Sequence, residues 1–481
     1  VAGIGFELKK LFKDKGLLST IRAYLYSTFV TVGPIIISVL VITMLQFLLK
    51  YIGIETNKRE LLQVTIMYAF IFAVIISSGY CMMLSRYLSD RLYMQKKEDI
   101  LPALYGSLTT IIIICGIIGI LFYYRSPIDI VYKIFSYILF VGLTVEMILG
   151  VYVSAIKEFK KVAFSFLYGT ILGLITGYIL IKYKGVDEIL SVVIGFDLCI
   201  LVVIIILANE IQKYFREKSL LYFNFIKYFE RFYLIFLTNL FFTMGLYVHN
   251  FAFWMMPEIN RIIEGTYVYT PLYDIPAAYA FLSSIPTMII FVVKVETGFY
   301  EKYKNYFALI NHRGAYEDIE VAKRQMIKAV YREVVYIMKI QLVFTIGFLI
   351  VGIKLLPFIG FTSNMINIYS ILVLGYYCVI IMFVIMTILL YYDHKKAACF
   401  VTLSFVMTSF VFTLMSMYIG QNSYGLGFFM SGLVSLVFAI MELEKYFNDI
   451  EYHVFCIQTG FKEADEGKLS HFIDKMNKIG G

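Results

Sequence analysis

The chain has 481 residues, 60% of them hydrophobic and only 16% charged, against about 25% charged in an average soluble domain. Long apolar runs in so charge-poor a chain mark a multi-pass membrane protein, not a soluble globular one. The formal net charge of +8 does not point to nucleic acid, because the basic residues lie in the loops between apolar runs.

In residues 1–16, Ile4, Leu8, Leu11 and Phe12 share one helical face with lysines opposite. That pattern predicts an amphipathic helix on the inner membrane surface, or simply an anchor before the first span. No cleavable signal segment is expected there. Twelve apolar segments follow, each near the ~20 residues that cross a bilayer: 17–49, 62–92, 100–123, 130–156, 162–181, 189–209, 226–256, 277–298, 331–355, 367–391, 397–419 and 424–443. Basic clusters at Lys9/Lys10/Lys13/Lys15, Arg86/Arg91/Lys96/Lys97, Lys157/Lys160/Lys161 and Lys213/Arg216/Lys218 predict cytoplasmic N- and C-termini by the positive-inside rule.

The basic connection 210–225 divides the chain into lobes of six spans, 17–209 and 226–445. Both lobes open on a long span with small or polar residues. The first is STFVTVGPIII, with Gly33 and Pro34; the second is LTNLFFTMGLYVHN, with Asn239, Gly245, His249 and Asn250. Interrupted spans in matching positions point to a substrate path between repeats. Gly169, Gly173 and Gly177 form a small-xxx-small stripe that reads as helix packing.

No catalytic residue and no metal site is expected. The histidines (249, 312, 394, 453 and 471) lack ligand spacing, the six cysteines (81, 115, 199, 378, 399 and 456) form no Cys-x-x-Cys pair, and there is no Asp-x-Asp. Two acids lie at membrane depth, Glu146 in VGLTVEMILG and Asp197 in VIGFDLCI. Charge there is costly, so they are candidates for coupling transport to a proton or sodium ion; the plainer reading is two buried acids, neutral or hydrogen-bonded to a neighbouring Thr, Ser or Tyr. The loop 257–276 puts Tyr267, Tyr269, Tyr273 and Asp274 beside the outer mouth, an expected exit surface. An insertion at about 299–330 carries Ile319, Ala322, Met326 and Val330 on one helical face and a Glu320–Arg324 pair. With the tail 446–481 it is an expected docking surface for a cytosolic partner, or else an extension of span nine.

In FVVKVET (291–297), Lys294 and Glu296 stand at the inner edge of span eight. Two positions apart on a helix they point ~200° apart, so they cannot pair and at least one needs another partner.

Three stretches carry a family likeness: AGIGFELKKLF at 2–12, SRYLSDRLYMQKKEDI at 85–100, and YDIPAAYAFLSSIPTMIIFVVKVETGFYEKY at 273–303. Through them the chain resembles the PelG family, membrane transporters of Pel exopolysaccharide systems. Residue 1 is Val where Met is expected, as a non-ATG start codon translated literally would give.

The resemblance implies a translocase of the multidrug/oligosaccharidyl-lipid/polysaccharide exporter superfamily: an all-α protein of about 12 transmembrane helices in two six-helix lobes around a central cavity. Spans one, two, seven and eight would line the cavity, with Asn239, His249 and Asn250 facing it. The implied cargo is a polymer rich in N-acetylgalactosamine and galactosamine. The implied partners are a cytosolic glycosyltransferase and other Pel membrane components in the cytoplasmic membrane.

Packed in that way, Arg22, Arg86, Arg91, Lys227, Arg231 and Lys294 would form a basic ring at the cytoplasmic mouth, with Asp90 orienting Arg86. Glu296 would latch onto Arg86 or Arg91 to close the gate, and Lys294 would meet cargo or an acidic partner. The alternatives are a flippase for lipid-linked oligosaccharides or a drug exporter of the same fold, and a non-transporting scaffold of a polysaccharide synthase.

Overall fold

The computed structural model describes residues 41, 43–46, 48–216 and 219–457, with 467, 473 and 475 beyond them; the side chains of 159–160, 183–184 and 292–298 are not among those described. The expected helix 1–16, most of span one with Arg22, and most of the tail therefore lie outside the described residues.

Thirteen α-helices are described. In chain order they are α1 (Thr56–Tyr93), α2 (Ile100–Tyr123), α3 (Ile130–Ile156), α4 (Phe159–Lys184), α5 (Glu188–Tyr214), α6 (Lys227–Arg231), α7 (Tyr233–Trp254), α8 (Pro271–Phe281), α9 (Ile285–Asn311), α10 (Tyr316–Leu355), α11 (Ser363–Tyr391), α12 (Lys395–Ile419) and α13 (Leu426–Asn448). Among the described residues, 11 helical stretches are long and apolar enough to cross a membrane. Helices dominate because backbone N–H and C=O groups in lipid must be satisfied within the segment. Short polar residues set several starts: Asp129 accepts from the Val131 N–H, Asp187 from Ile189 and Leu190, and Thr362 from Met365.

Two bundles result. In the first lobe α1 packs on α3, α3 on α5, and α5 on α4; in the second α7 packs on α12, α12 and α11 on α13, α8 on α11, and α9 on α10. The α4–α5 contact is the glycine stripe. A Cβ on Gly173 would lie 2.3 Å from the Gly195 carbonyl oxygen, and one on Gly169 would lie 2.6 Å from that of Cys199. Only glycine allows so close a backbone approach. The lobes meet along α1 and α7.

Span seven differs from expectation, because α7 runs unbroken through Asn239, Gly245, His249 and Asn250. The interruption falls in span eight, where α8 ends, Leu282–Ser284 form a 3₁₀ turn, and α9 begins. Pro286 is the cause: it has no N–H to donate, and its ring clashes with the carbonyl four residues back. The loosened backbone is satisfied locally. Ser283 and Ser284 hydroxyls donate to Ala280 and Phe281 carbonyls, and Gln341 Nε2 on α10 donates to the Ser283 carbonyl at 3.2 Å.

The loop between α7 and α8 is also ordered differently from expectation. Arg261–Ile263 and Tyr267–Tyr269 pair as an antiparallel hairpin, β1–β2. Its turn holds Glu264 (φ 47°) and Gly265 (φ 56°) in the left-handed region.

Phe225, Tyr228, Phe232 and Ile235, on both sides of the start of α7, pack in the first lobe's core.

Candidate functional site

Several of the polar residues singled out by sequence lie at or beside the seam between the lobes. At the hairpin end, Asp274 sits in the first turn of α8. Its Oδ2 accepts from the Thr270 N–H at 2.7 Å, reaching back as the acid of a capping box does. The same oxygen accepts from Trp254 Nε1 at 2.8 Å, and Oδ1 accepts from Asn250 Nδ2 at 2.7 Å. One carboxylate thereby ties the end of α7, the hairpin exit and the start of α8.

Trp254 carries this network across the seam. It stacks on Tyr68 of α1, with centroids 4.7 Å apart and planes 6° apart. The Tyr68 hydroxyl donates to the Val268 carbonyl at 2.6 Å and accepts from the Val268 N–H at 3.1 Å. The hairpin is held by the first lobe through Tyr123–Tyr267 and Ser126–Thr266 hydroxyl pairs, each at 2.7 Å. Arg261 and Glu60 form an ion pair at 2.7 Å. Ile263, Tyr267 and Tyr269 join a core cluster with Leu62, Val64, Tyr132 and Val193. The hairpin thus belongs to the second half of the chain and packs in the first lobe. For Tyr267, outside the spans, burial pushes the phenol up.

This arrangement differs from two expectations. In this structure Tyr267, Tyr269, Tyr273 and Asp274 present no open surface: all four are buried. His249 and Asn250 do not line an open cavity either. Both are buried; His249 Nδ1 bonds the Tyr273 hydroxyl at 2.9 Å and its ring lies 4.3 Å from that of Phe428, while Asn250 is taken up by Asp274. Asn239, half-buried, does face the seam: its Nδ2 donates to the Ser78 carbonyl on α1 at 2.7 Å. A Cβ on Gly79 would meet the Phe236 ring and carbonyl oxygen at 2.8 Å, so the two helices touch backbone to backbone here.

At the opposite end of the seam the basic residues separate. Arg86 pairs with Asp90 at 3.4 Å, the expected i, i+4 geometry, and lies over the Phe232 ring. Arg91 instead turns into the first lobe. It pairs with the buried Asp99 at 3.2 Å and lies over the Tyr87 ring, so it is withdrawn from the expected basic ring, and its partner here is Asp99 of its own lobe. Lys294 and Glu296 fall within α9, but their side chains lie outside those described.

The two membrane-depth acids occupy packed helices of the first lobe, Glu146 on α3 and Asp197 on α5. Glu146 is half-buried. Asp197 is buried, and neither carboxylate oxygen has a hydrogen-bond partner among the described residues. Such a group is costly and stands out from the bonded Asp274. Of the two forms of the plainer reading, the hydrogen-bonded one is not seen for Asp197 among the described residues.

Sequence reasoning missed Tyr68, Trp254, Thr270 and Phe232. Trp254 is the only tryptophan, but a tryptophan at a span end reads as an interfacial belt residue, and nothing local announces its partners.

The sequence model of the family described as "PelG: Putative exopolysaccharide Exporter (EPS-E)" matches residues 1–455. No curated protein matches the chain. Among solved structures it is similar to the Vibrio cholerae MATE transporter VcmN in the bent form, with a TM-score of 0.62 at 12% identity over 94% of this chain and 99% of that one. It is also similar to an outward-facing multidrug resistance MATE family transporter of the MOP superfamily (TM-score 0.58, 12% identity, 88% and 96% covered). A third is a MOP superfamily transporter from Pyrococcus furiosus (TM-score 0.58, 12% identity, 89% and 95% covered). At this identity the likeness establishes the fold alone, a MATE-like membrane transporter fold.

Proposed function

We propose, because the chain belongs to the PelG family of exopolysaccharide exporters, that it carries Pel-type polysaccharide, rich in N-acetylgalactosamine and galactosamine, outward across the cytoplasmic membrane. The observation that carries this reading beyond a general membrane transporter is the family match over 1–455, set on a two-lobed fold. Cargo passes between the lobes by alternating access. The hairpin end is the outer end, and the contacts of Tyr68, Tyr123, Ser126 and Glu60 with the hairpin and Trp254 close it. Opening requires those contacts to part while the α1–α7 seam rocks.

Asp197 and Glu146 couple the movement to a cation. Protonation or sodium binding at Asp197 relieves the cost of an unpaired carboxylate at depth. The basic end of the seam, with Arg86 and Asp90, is the cytoplasmic mouth. There the α9–α10 extension receives a cytosolic glycosyltransferase.

The test is polymer release from proteoliposomes containing the glycosyltransferase and its Pel membrane partners, with and without this protein. Release that depends on it supports the proposal. Release without it makes the protein a scaffold, and transport of lipid-linked oligosaccharide instead of polymer makes it a flippase.

A further inference from the structure

Phe232, at the junction of α6 and α7, is 5% exposed, and three cations converge on its ring. Arg86 Cζ from α1 and Arg231 Cζ from α6 each lie 5.3 Å from the ring centroid, and Lys395 Nζ from the start of α12 lies 4.8 Å from it. No two of these groups are more than roughly 11 Å apart, on the scale of the ~8 Å Debye length of physiological salt. They come from both lobes.

Topology does not require this. The positive-inside rule asks for basic residues on one side of the membrane, not for three of them around a single ring. Two acids partly offset the charge: Asp90 against Arg86 at 3.4 Å and Asp393 against Lys395 at 3.1 Å. Arg231 is exposed and forms no ion pair among the described residues. The cluster therefore keeps a positive excess at the point where the lobes meet, with accessible donors: the Arg86 side chain is 47% exposed and that of Lys395 is 22% exposed.

We infer that Arg86, Arg231 and Lys395 form an anion site around Phe232 that takes a phosphate group. Guanidinium forks match phosphate oxygens in pairs, and the lysine adds a point charge. The phosphate belongs to a membrane lipid headgroup or to a soluble phosphate compound; the recognition chemistry is the same. Because the three cations lie on both lobes, a bound phosphate holds this end of the seam together.

The proposal is separate from the identity of the cargo and is tested without it. The full chain is placed in nanodiscs of neutral phosphatidylcholine, and its unfolding midpoint is followed on adding inorganic phosphate. A parallel series replaces part of the neutral lipid with phosphatidylglycerol. A rise in midpoint in either series is expected in the wild type. Arg231→Gln and Lys395→Gln are expected to weaken the apparent affinity roughly tenfold or more each, as loss of a charge-assisted hydrogen bond does, while Arg231→Lys keeps part of it. Arg231 is exposed, so its variants should fold; their unfolding midpoints in neutral lipid check this.

A response to inorganic phosphate supports a soluble phosphate ligand, and a response to phosphatidylglycerol alone supports a lipid headgroup. No response in either series, or a response equal in wild type and both glutamine variants, overturns the site.

Discussion

Trp254 lies flat on Tyr68, ring centroids 4.7 Å apart, and the two residues belong to opposite lobes. The indole N–H points to Asp274 while the phenol bonds both backbone groups of Val268. One stacked pair thus joins α1, α7, the hairpin and α8. Substituting either ring should lower the unfolding midpoint. A double-mutant cycle of Tyr68→Leu with Trp254→Leu should give a coupling of about 1 kcal/mol, the range of a stacked aromatic pair. Additive effects in denaturant unfolding would mean the stack is incidental.

If the hairpin end must open for export, locking it should stop transport. Ser126 and Thr266 have hydroxyl oxygens 2.7 Å apart across the lobes, which brings their β-carbons near the range a disulfide spans. Ser126→Cys with Thr266→Cys should cross-link under oxidant, block polymer release, and recover on reduction. Full release by the cross-linked protein would place the moving contact elsewhere.

Asp274 accepts three hydrogen bonds in a buried site. Asn at this position brings an amide donor against donors, so Asp274→Asn should cost about 2–3 kcal/mol. It should also raise protease sensitivity in the 257–276 segment. Unfolding midpoint and limited proteolysis measure the two effects together.

Two glycines offer a matched pair. Gly173 faces the Gly195 carbonyl so closely that a Cβ would sit 2.3 Å from it, whereas a Cβ on Gly150 of α3 meets nothing within 4 Å. Gly173→Ala should force α4 off α5 and cost about 1–3 kcal/mol. Gly150→Ala should be neutral or stabilising by about 0.5–1 kcal/mol, because alanine favours helix.

Asp197→Asn and Glu146→Gln test the coupling proposal. Each should flatten the dependence of export on pH or sodium while leaving the protein level unchanged. Asp197→Asn should not destabilise the fold, since no hydrogen bond is lost among the described residues. Wild-type ion dependence in both variants would remove coupling from these acids.

The spans were legible because their cause is local. Apolar runs bounded by polar turns, in a solvent that cannot satisfy a free backbone, leave helix as the outcome. Helices α2 and α3 begin and end at the residues that the pattern of apolar runs predicts, 100–123 and 130–156. The glycine stripe of α4 was legible for the same reason: its spacing states that a neighbour comes close, although not that the neighbour is Gly195.

The destination of the polar side chains was not legible. Asp274, Tyr267 and Tyr273 read as a wet outer loop and Asn250 as a cavity residue, yet all four are buried against one another and against Trp254, Thr270, His249 and Tyr123. Tyr123 precedes Tyr267 by 144 positions, and Tyr68 precedes Val268 by 200. The gathering of Arg86, Arg231 and Lys395 on Phe232 is of the same kind. Whether a tyrosine, an acid or an arginine faces water or a partner depends on what the other lobe presents. Hydrophobic patterning acts over one or two helical turns and carries no information about that distance, so the packing of the lobes makes the choice.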